Sequence, residues 1–154
     1  MSTRLENLLE PSPMLETRFF QRHRAAGLTC DRLSEFSSDK QGREFCINLI
    51  IDFLSGITSY ISAAHYGLEP WQPRQVRNAA DTIWSDCVSI GAQRAAALAK
   101  ELEQNAEAGR PREARKNYRE LRQELIFVWE DLQHLLKGLR LEANQDSGHS
   151  ERVS

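Results

Sequence analysis

Four histidines, three cysteines and 22 carboxylates are the groups of this 154-residue chain that could hold a metal, attack a substrate or carry a proton. The histidines, His23, His65, His134 and His149, are scattered. A zinc or hydrolytic centre needs ligands on one face, as when two imidazoles stand one helical turn apart around a glutamate. No His-Glu-x-x-His occurs, and no His/Glu pair three residues apart faces a common core. The glycine-rich cradles GxxxxGK[ST] and GxGxxG, whose backbone amides hold phosphates, do not occur either. Cys30, Cys46 and Cys87 are an odd number without a CxxC pair, which speaks against a disulfide scaffold or zinc knuckle. Cys46 and Cys87 fall among apolar positions and read as small buried hydrophobes. Glu101, Glu103, Glu107, Glu120 and Glu124 fall on polar helix faces and read as solvated surface. By chemistry, no enzyme, cofactor or metal site is expected.

The elements that must position these residues are marked by proline. Pro11 and Pro13 lie near the start, Pro70 and Pro73 in the middle and Pro111 later, leaving three long proline-free blocks. Apolar residues recur at helical spacing within them. Phe45, Leu49, Phe53, Ile57 and Ile61 step by four, with Ile50, Leu54 and Ala64 on the same side; Asp39 or Ser38 is the expected cap and Gly67 the stop. Val76, Ala80, Ile83, Cys87 and Ile90 form a second stripe from Pro73 to a break at Gly91. A third joins Ala95, Leu98, Ala99, Leu102 and Ala106, ending at Gly109. Pro111 opens a fourth, in which Ala114, Tyr118, Leu121, Leu125, Val128, Leu132, Leu135 and Leu139 alternate steps of four and three. Such a seam suits helices crossing at about 20°.

Weaker patches, Leu5–Leu9, Leu15–His23 and Asp31–Phe36, predict a helical cap over 1–37, before a bundle over 38–142. The polar stretch 143–154 is expected to be disordered. Only 8 glycines and 5 prolines interrupt the chain, too few for a β-sandwich turning about every 8–12 residues. The fold class is therefore all-α.

Charge narrows the partners. Lys and Arg number 20 against 22 acidic residues, giving a net charge of −2, without the basic footprint of a nucleic-acid-binding domain. The apolar stretch Cys46–Leu54 is broken by Asn48 and Asp52 and is far short of the ~20 residues of a membrane span. The first residues lack the apolar centre of a signal peptide. A soluble monomer of cytoplasm and nucleus is expected.

One segment departs from generic helical sequence: Asp81-Thr82-Ile83-Trp84-Ser85-Asp86-Cys87-Val88-Ser89-Ile90-Gly91-Ala92-Gln93-Arg94. Its end, Ser89-Ile90-Gly91-Ala92-Gln93-Arg94, resembles the end of the active-site motif of plant-type histidine-containing phosphotransfer (HPt) proteins. That motif reads His-x-Leu-Lys-Gly-Ser-Ser-x-Ser-Ile-Gly-Ala-x-Arg. Glu44-Phe45 through Asp52-Phe53-Leu54 is similar to the family's preceding helix, and Tyr118, Leu121, Leu125, Val128 and Leu132 to its long last helix. The resemblance runs roughly over 27–142 and is strongest over 76–103. It implies an HPt-type four-helix bundle with additional short N-terminal helices. It also implies partners: receiver domains of sensor histidine kinases and response regulators in a cytokinin-type two-component phosphorelay.

The departures fall on the reacting groups. In the family's register the phosphoacceptor His is Asp81, the motif Lys is Trp84, the Gly is Ser85 and the next Ser is Asp86. The imidazole nucleophile, the cation beside the phosphate and the Cβ-free surface for close approach are all replaced. The resemblance thus implies a pseudo-HPt protein that binds receivers without carrying phosphate and dampens the relay. Projection at 100° per residue turns Asp81 and Ser85 away from the buried stripe, with Arg74, Arg77, Trp84 and Val88 flanking them. An outward Trp84 reads as the centre of a docking surface, and Arg77, four residues before Asp81, can pair with it. Two rival readings stand beside this one. A displaced acceptor, Asp81 or the His134 of His134-Leu135-Leu136-Lys137-Gly138, would make a working phosphocarrier; a helical scaffold would bind no receiver.

Overall fold

A computed structural model of the chain describes the backbone of residues 39–153 and the side chains of 39–145. The expected helical patches within 1–37, and Cys30, lie outside the described residues. Among the described residues four helices follow in order, α1 (Lys40–Leu68), α2 (Pro73–Ile90), α3 (Gln93–Glu107) and α4 (Pro111–Val153). No strand occurs among the described residues, so the fold is all-α. Each helix packs on the next in sequence, and α4 returns to pack on α1.

Local chemistry sets the boundaries. Asp39 caps α1, its carboxylate accepting from the Gly42 amide at 2.6 Å. Pro73 and Pro111 open α2 and α4, where a missing amide proton leaves no helical hydrogen bond unmade. Gly91 ends α2 in the left-handed region, at φ 81°, with its cap amides reaching the Cys87 and Val88 carbonyls. Gly67 is not the stop of α1; it lies inside the helix, which runs on to Leu68. A Cβ there would stand 2.8 Å from Val76 Cγ2, so the glycine permits close approach of α1 and α2. The chain leaves the helix at Glu69, whose extended backbone suits a residue preceding proline.

The core follows the 4-3 stripes with two rotations. All five stripe residues of α2 are buried, as are Ala95, Ala99, Leu102 and Ala106 of α3. On α1 the buried line is Cys46, Ile50, Phe53, Ile57, Ile61 and Ala64, while Phe45 is 60% exposed. Steps of four advance about 40° beyond a full turn each, so Phe45 has rotated away from the face that Ile57 and Ile61 share. On α4, Leu136 is buried and Leu135 only half-buried, since a seam of alternating fours and threes falls about 20° short of two full turns every seven residues.

Over 143–153 the structure continues α4, where the polar composition predicts disorder. No proline follows Pro111, and extending an existing helix requires no new nucleus. At 29 residues, α1 is also long and apolar enough to cross a membrane by length and composition. Its buried line packs on α2 and α4, and Asn48, Asp52, Ser55 and Ser59 form an exposed polar stripe.

Candidate functional site

The surface of α2 carries the residues singled out by register. Asp81, Ser85, Val88 and Ser89 are exposed, Val88 at 50%. The Ser89 hydroxyl donates to the Ser85 carbonyl at 3.0 Å and the Thr82 hydroxyl to the Asn78 carbonyl at 3.1 Å. These bonds turn the small side chains back on their own helix. Beside this face, Tyr60 and Ala63 of α1 and Arg74, Gln75, Asn78 and Thr82 of α2 line a groove of about 600 Å³. Gln75 ties the two helices together, its amide donating to the Ala63 carbonyl at 2.8 Å.

Trp84 is not the freely exposed anchor that projection places beside Asp81. It is half-buried and packs against the core, with the Lys100 ammonium of α3 5.0 Å from its ring centroid. The reason is tertiary: α3 rises beside that flank of α2 and covers one side of the indole. Lys100 also pairs with Glu103 at 3.2 Å.

The arginines divide. Arg77 extends to Glu107 of α3, at 3.5 Å, instead of pairing with Asp81. Arg74 is exposed on the wall of the groove.

The run Ser89–Arg94 forms the corner between α2 and α3. Ile90 and Ala92 are buried, Gly91 supplies the positive φ, and Gln93 opens α3. Arg94 reaches back to Glu124 of α4, Nε to Oε2 at 3.5 Å. Glu124 is only 6% exposed, so its reading as solvated surface is corrected. Asn117, Glu124 and Asp131 recur every seven residues and are all buried; that spacing returns to the same helix face and was the signal available. Asn117 donates to Glu101 at 2.9 Å and accepts from Asn105, joining α3 to α4.

Two groups near the site have raised pKa values. Burial lifts the Asp86 carboxyl. Cys87 is pushed up to about 12 by burial first, then by the negative charges of Asp86 and Glu124. A thiol so placed stays protonated and unreactive near neutrality. His134 is exposed on α4, a different helix from Asp81. Among the described residues no group of three or more His, Cys, Asp or Glu side chains could hold a metal.

No protein-family model matches the chain, and neither the curated proteins nor the solved structures include a match to it.

Proposed function

We propose that the four helices form an HPt-type bundle whose α2 face docks receiver domains without accepting phosphate. The observation that carries this reading is the exposed row Asp81, Ser85 and Val88 on α2 beside the Arg74-lined groove. That row stands in register with the family's phosphoacceptor surface, one helical stretch before the Ser89–Arg94 corner. A carboxylate at position 81 offers no imidazole nucleophile, and Ser85 sets a Cβ where the family leaves none. Arg74 supplies positive charge toward an acidic receiver pocket, while Arg77 is partly neutralised by Glu107. The cyclic packing of α1 to α4 supports the bundle. In this reading the protein is a binding module, not an enzyme, and works as a monomer in cytoplasm and nucleus. It occupies receivers of sensor kinases and response regulators of the cytokinin-type relay, competes with phosphate-carrying proteins, and so dampens the relay.

Titration with one receiver, phosphorylated and unphosphorylated, tests the reading. Saturable binding is expected, weakened about tenfold or more by Val88→Asp, which places a charge in a contact that must desolvate. Arg74→Gln should slow association, with a loss that shrinks as salt rises. Transfer of phosphate to the protein, abolished by His134→Ala, would establish the displaced-acceptor reading. Absence of binding to either form of the receiver would leave the helical scaffold.

A further inference from the structure

At the end of the molecule where α1 stops and α4 begins, three guanidinium groups converge on one groove. Arg115, Arg119 and Arg122 stand on α4 at spacings of four and three, which brings them to one face. Tyr118 lies among them, and His65 and Tyr66 of α1 form the opposite wall. The groove encloses about 410 Å³, within the range of small-molecule sites. It contains no residue of α2 and is separate in its lining from the Asp81 face.

Tyr118 is the telling member. Its side chain is 6% exposed, and its hydroxyl is buried without a hydrogen-bond partner. A buried hydroxyl left unpaired is costly, and nearly all such groups find a partner. Burial raises its pKa, against a smaller opposite effect of Arg122, so the phenol remains a donor at neutral pH. The Nε of Arg115 is likewise buried without a partner. Among the described residues that line the groove, Glu69 is the one carboxylate. Glu69 lies on the rim and meets Arg115 at 3.8 Å with its carboxylate largely in water. The carbonyls ending α1 add a partial negative charge that fades within one turn. Arg115 and Arg119 together against one solvated carboxylate leave the groove positive.

Guanidinium forks match the oxygens of a phosphate dianion, and a phenol donor adds a directed bond. The His65 ring stands 5.7 Å from that of Tyr118, tilted by 41°, and 5.4 Å from that of Tyr66, edge-on at 73°, giving an aromatic wall of mutually inclined rings beside the charged end. We infer that this groove binds the phosphate group of a small molecule, with Arg115, Arg119 and Tyr118 as donors and the aromatic wall against the remainder. It stands whether or not receivers dock on α2.

Calorimetric titration of the full chain with inorganic phosphate and with phenyl phosphate, at matched ionic strength, tests it. One saturable site is expected. Arg119→Gln, an exposed position that leaves the packing alone, should weaken it about tenfold, as loss of a charge-assisted bond does. Tyr118→Phe, which removes only the hydroxyl, should weaken it about three- to tenfold. Arg112→Gln, on α4 but outside the groove, should change it less than about twofold. Tighter binding of phenyl phosphate assigns an organic phosphate, and equal binding assigns free phosphate. No saturation by about 10 mM of either, or equal losses in Arg119→Gln and Arg112→Gln, overturns the site.

Discussion

The ammonium of Lys100 on α3 lies 5.0 Å from the centroid of the Trp84 ring on α2. A cation of one helix thus covers an aromatic face of its neighbour. A half-buried cation–π contact of this kind contributes about 0.5–1 kcal/mol. A double-mutant cycle of Trp84→Leu and Lys100→Ala, followed by urea denaturation, should return a coupling of about that size. Additive effects would show that the two side chains are merely neighbours.

If the proposed correspondence of α2 with the HPt motif holds, phosphotransfer should need more than a nucleophile at position 81. Asp81→His alone should take no label from a phosphorylated receiver, because Ser85 still projects a Cβ and Trp84 still holds the lysine position. Asp81→His with Trp84→Lys and Ser85→Gly should recover labelling. The glycine itself weakens an exposed helix position by about 0.5–1 kcal/mol, so folding should be checked by circular dichroism. An inert, folded triple variant would contradict the proposed correspondence of α2.

Two glycines should respond in opposite directions to alanine. Helix propensity alone favours Ala over Gly by about 1 kcal/mol. Nothing lies within 4 Å of a Cβ at Gly138, so Gly138→Ala should raise the melting temperature. At Gly67 the new Cβ would meet Val76 Cγ2 at 2.8 Å and the Val76 backbone nitrogen at 3.2 Å. Gly67→Ala should therefore lower stability by about 1–3 kcal/mol, as overpacking does. A gain at both positions would mean that α1 and α2 are not so closely joined.

Alkaline pH should destabilise the fold through Cys87. Its thiol is raised from 9.0 to about 12, so the folded state holds a proton that the unfolded chain releases. Stability is then full below pH 9.0 and falls as pH climbs toward about 12, by roughly 1 kcal/mol at pH 10. Tyr118, also raised, acts in the same direction higher up. Cys87→Ala should flatten the slope of stability against pH above 9.0, measured by denaturant midpoints; an unchanged slope would assign it to other groups.

Leu125 and Ser85 give the sharpest contrast between core and surface. Leu125 is 2% exposed in the core, and Leu125→Ala should cost about 2–5 kcal/mol. Ser85→Ala on the exposed face should stay within about 0.5 kcal/mol. Equal effects in thermal unfolding would mean that the helix faces are wrongly assigned.

Much of the helical layout is legible without coordinates. Asp39, Pro73, Gly91 and Pro111 act through their own backbone geometry or nearest neighbours, and each stands at the boundary its chemistry implies. The stripe from Val76 to Ile90 is entirely buried because steps of four and three average close to the helical repeat. Phe45 fails by the same arithmetic, since steps of four alone drift around the helix. Gly67 could be read only as a stop, because the need for close approach arises from Val76 on another element.

Local periodicity and turn chemistry, which act over a few residues, determined from the amino-acid order alone that the described part of the chain is helical, where α1, α2 and α4 begin and where α2 ends. The order of residues also placed Asp81 and Ser85 on the outer side of α2. Tertiary structure alone decided that Trp84 is half covered, that Lys100 stands over it and that Arg77 pairs with Glu107. It likewise decided that Glu124 is buried against Arg94 and that Arg115, Arg119 and Tyr118 share a groove with His65. Each of these depends on the distance between helices far apart in the chain, and a charge or an indole at the edge of a stripe is buried or free according to which neighbour arrives beside it.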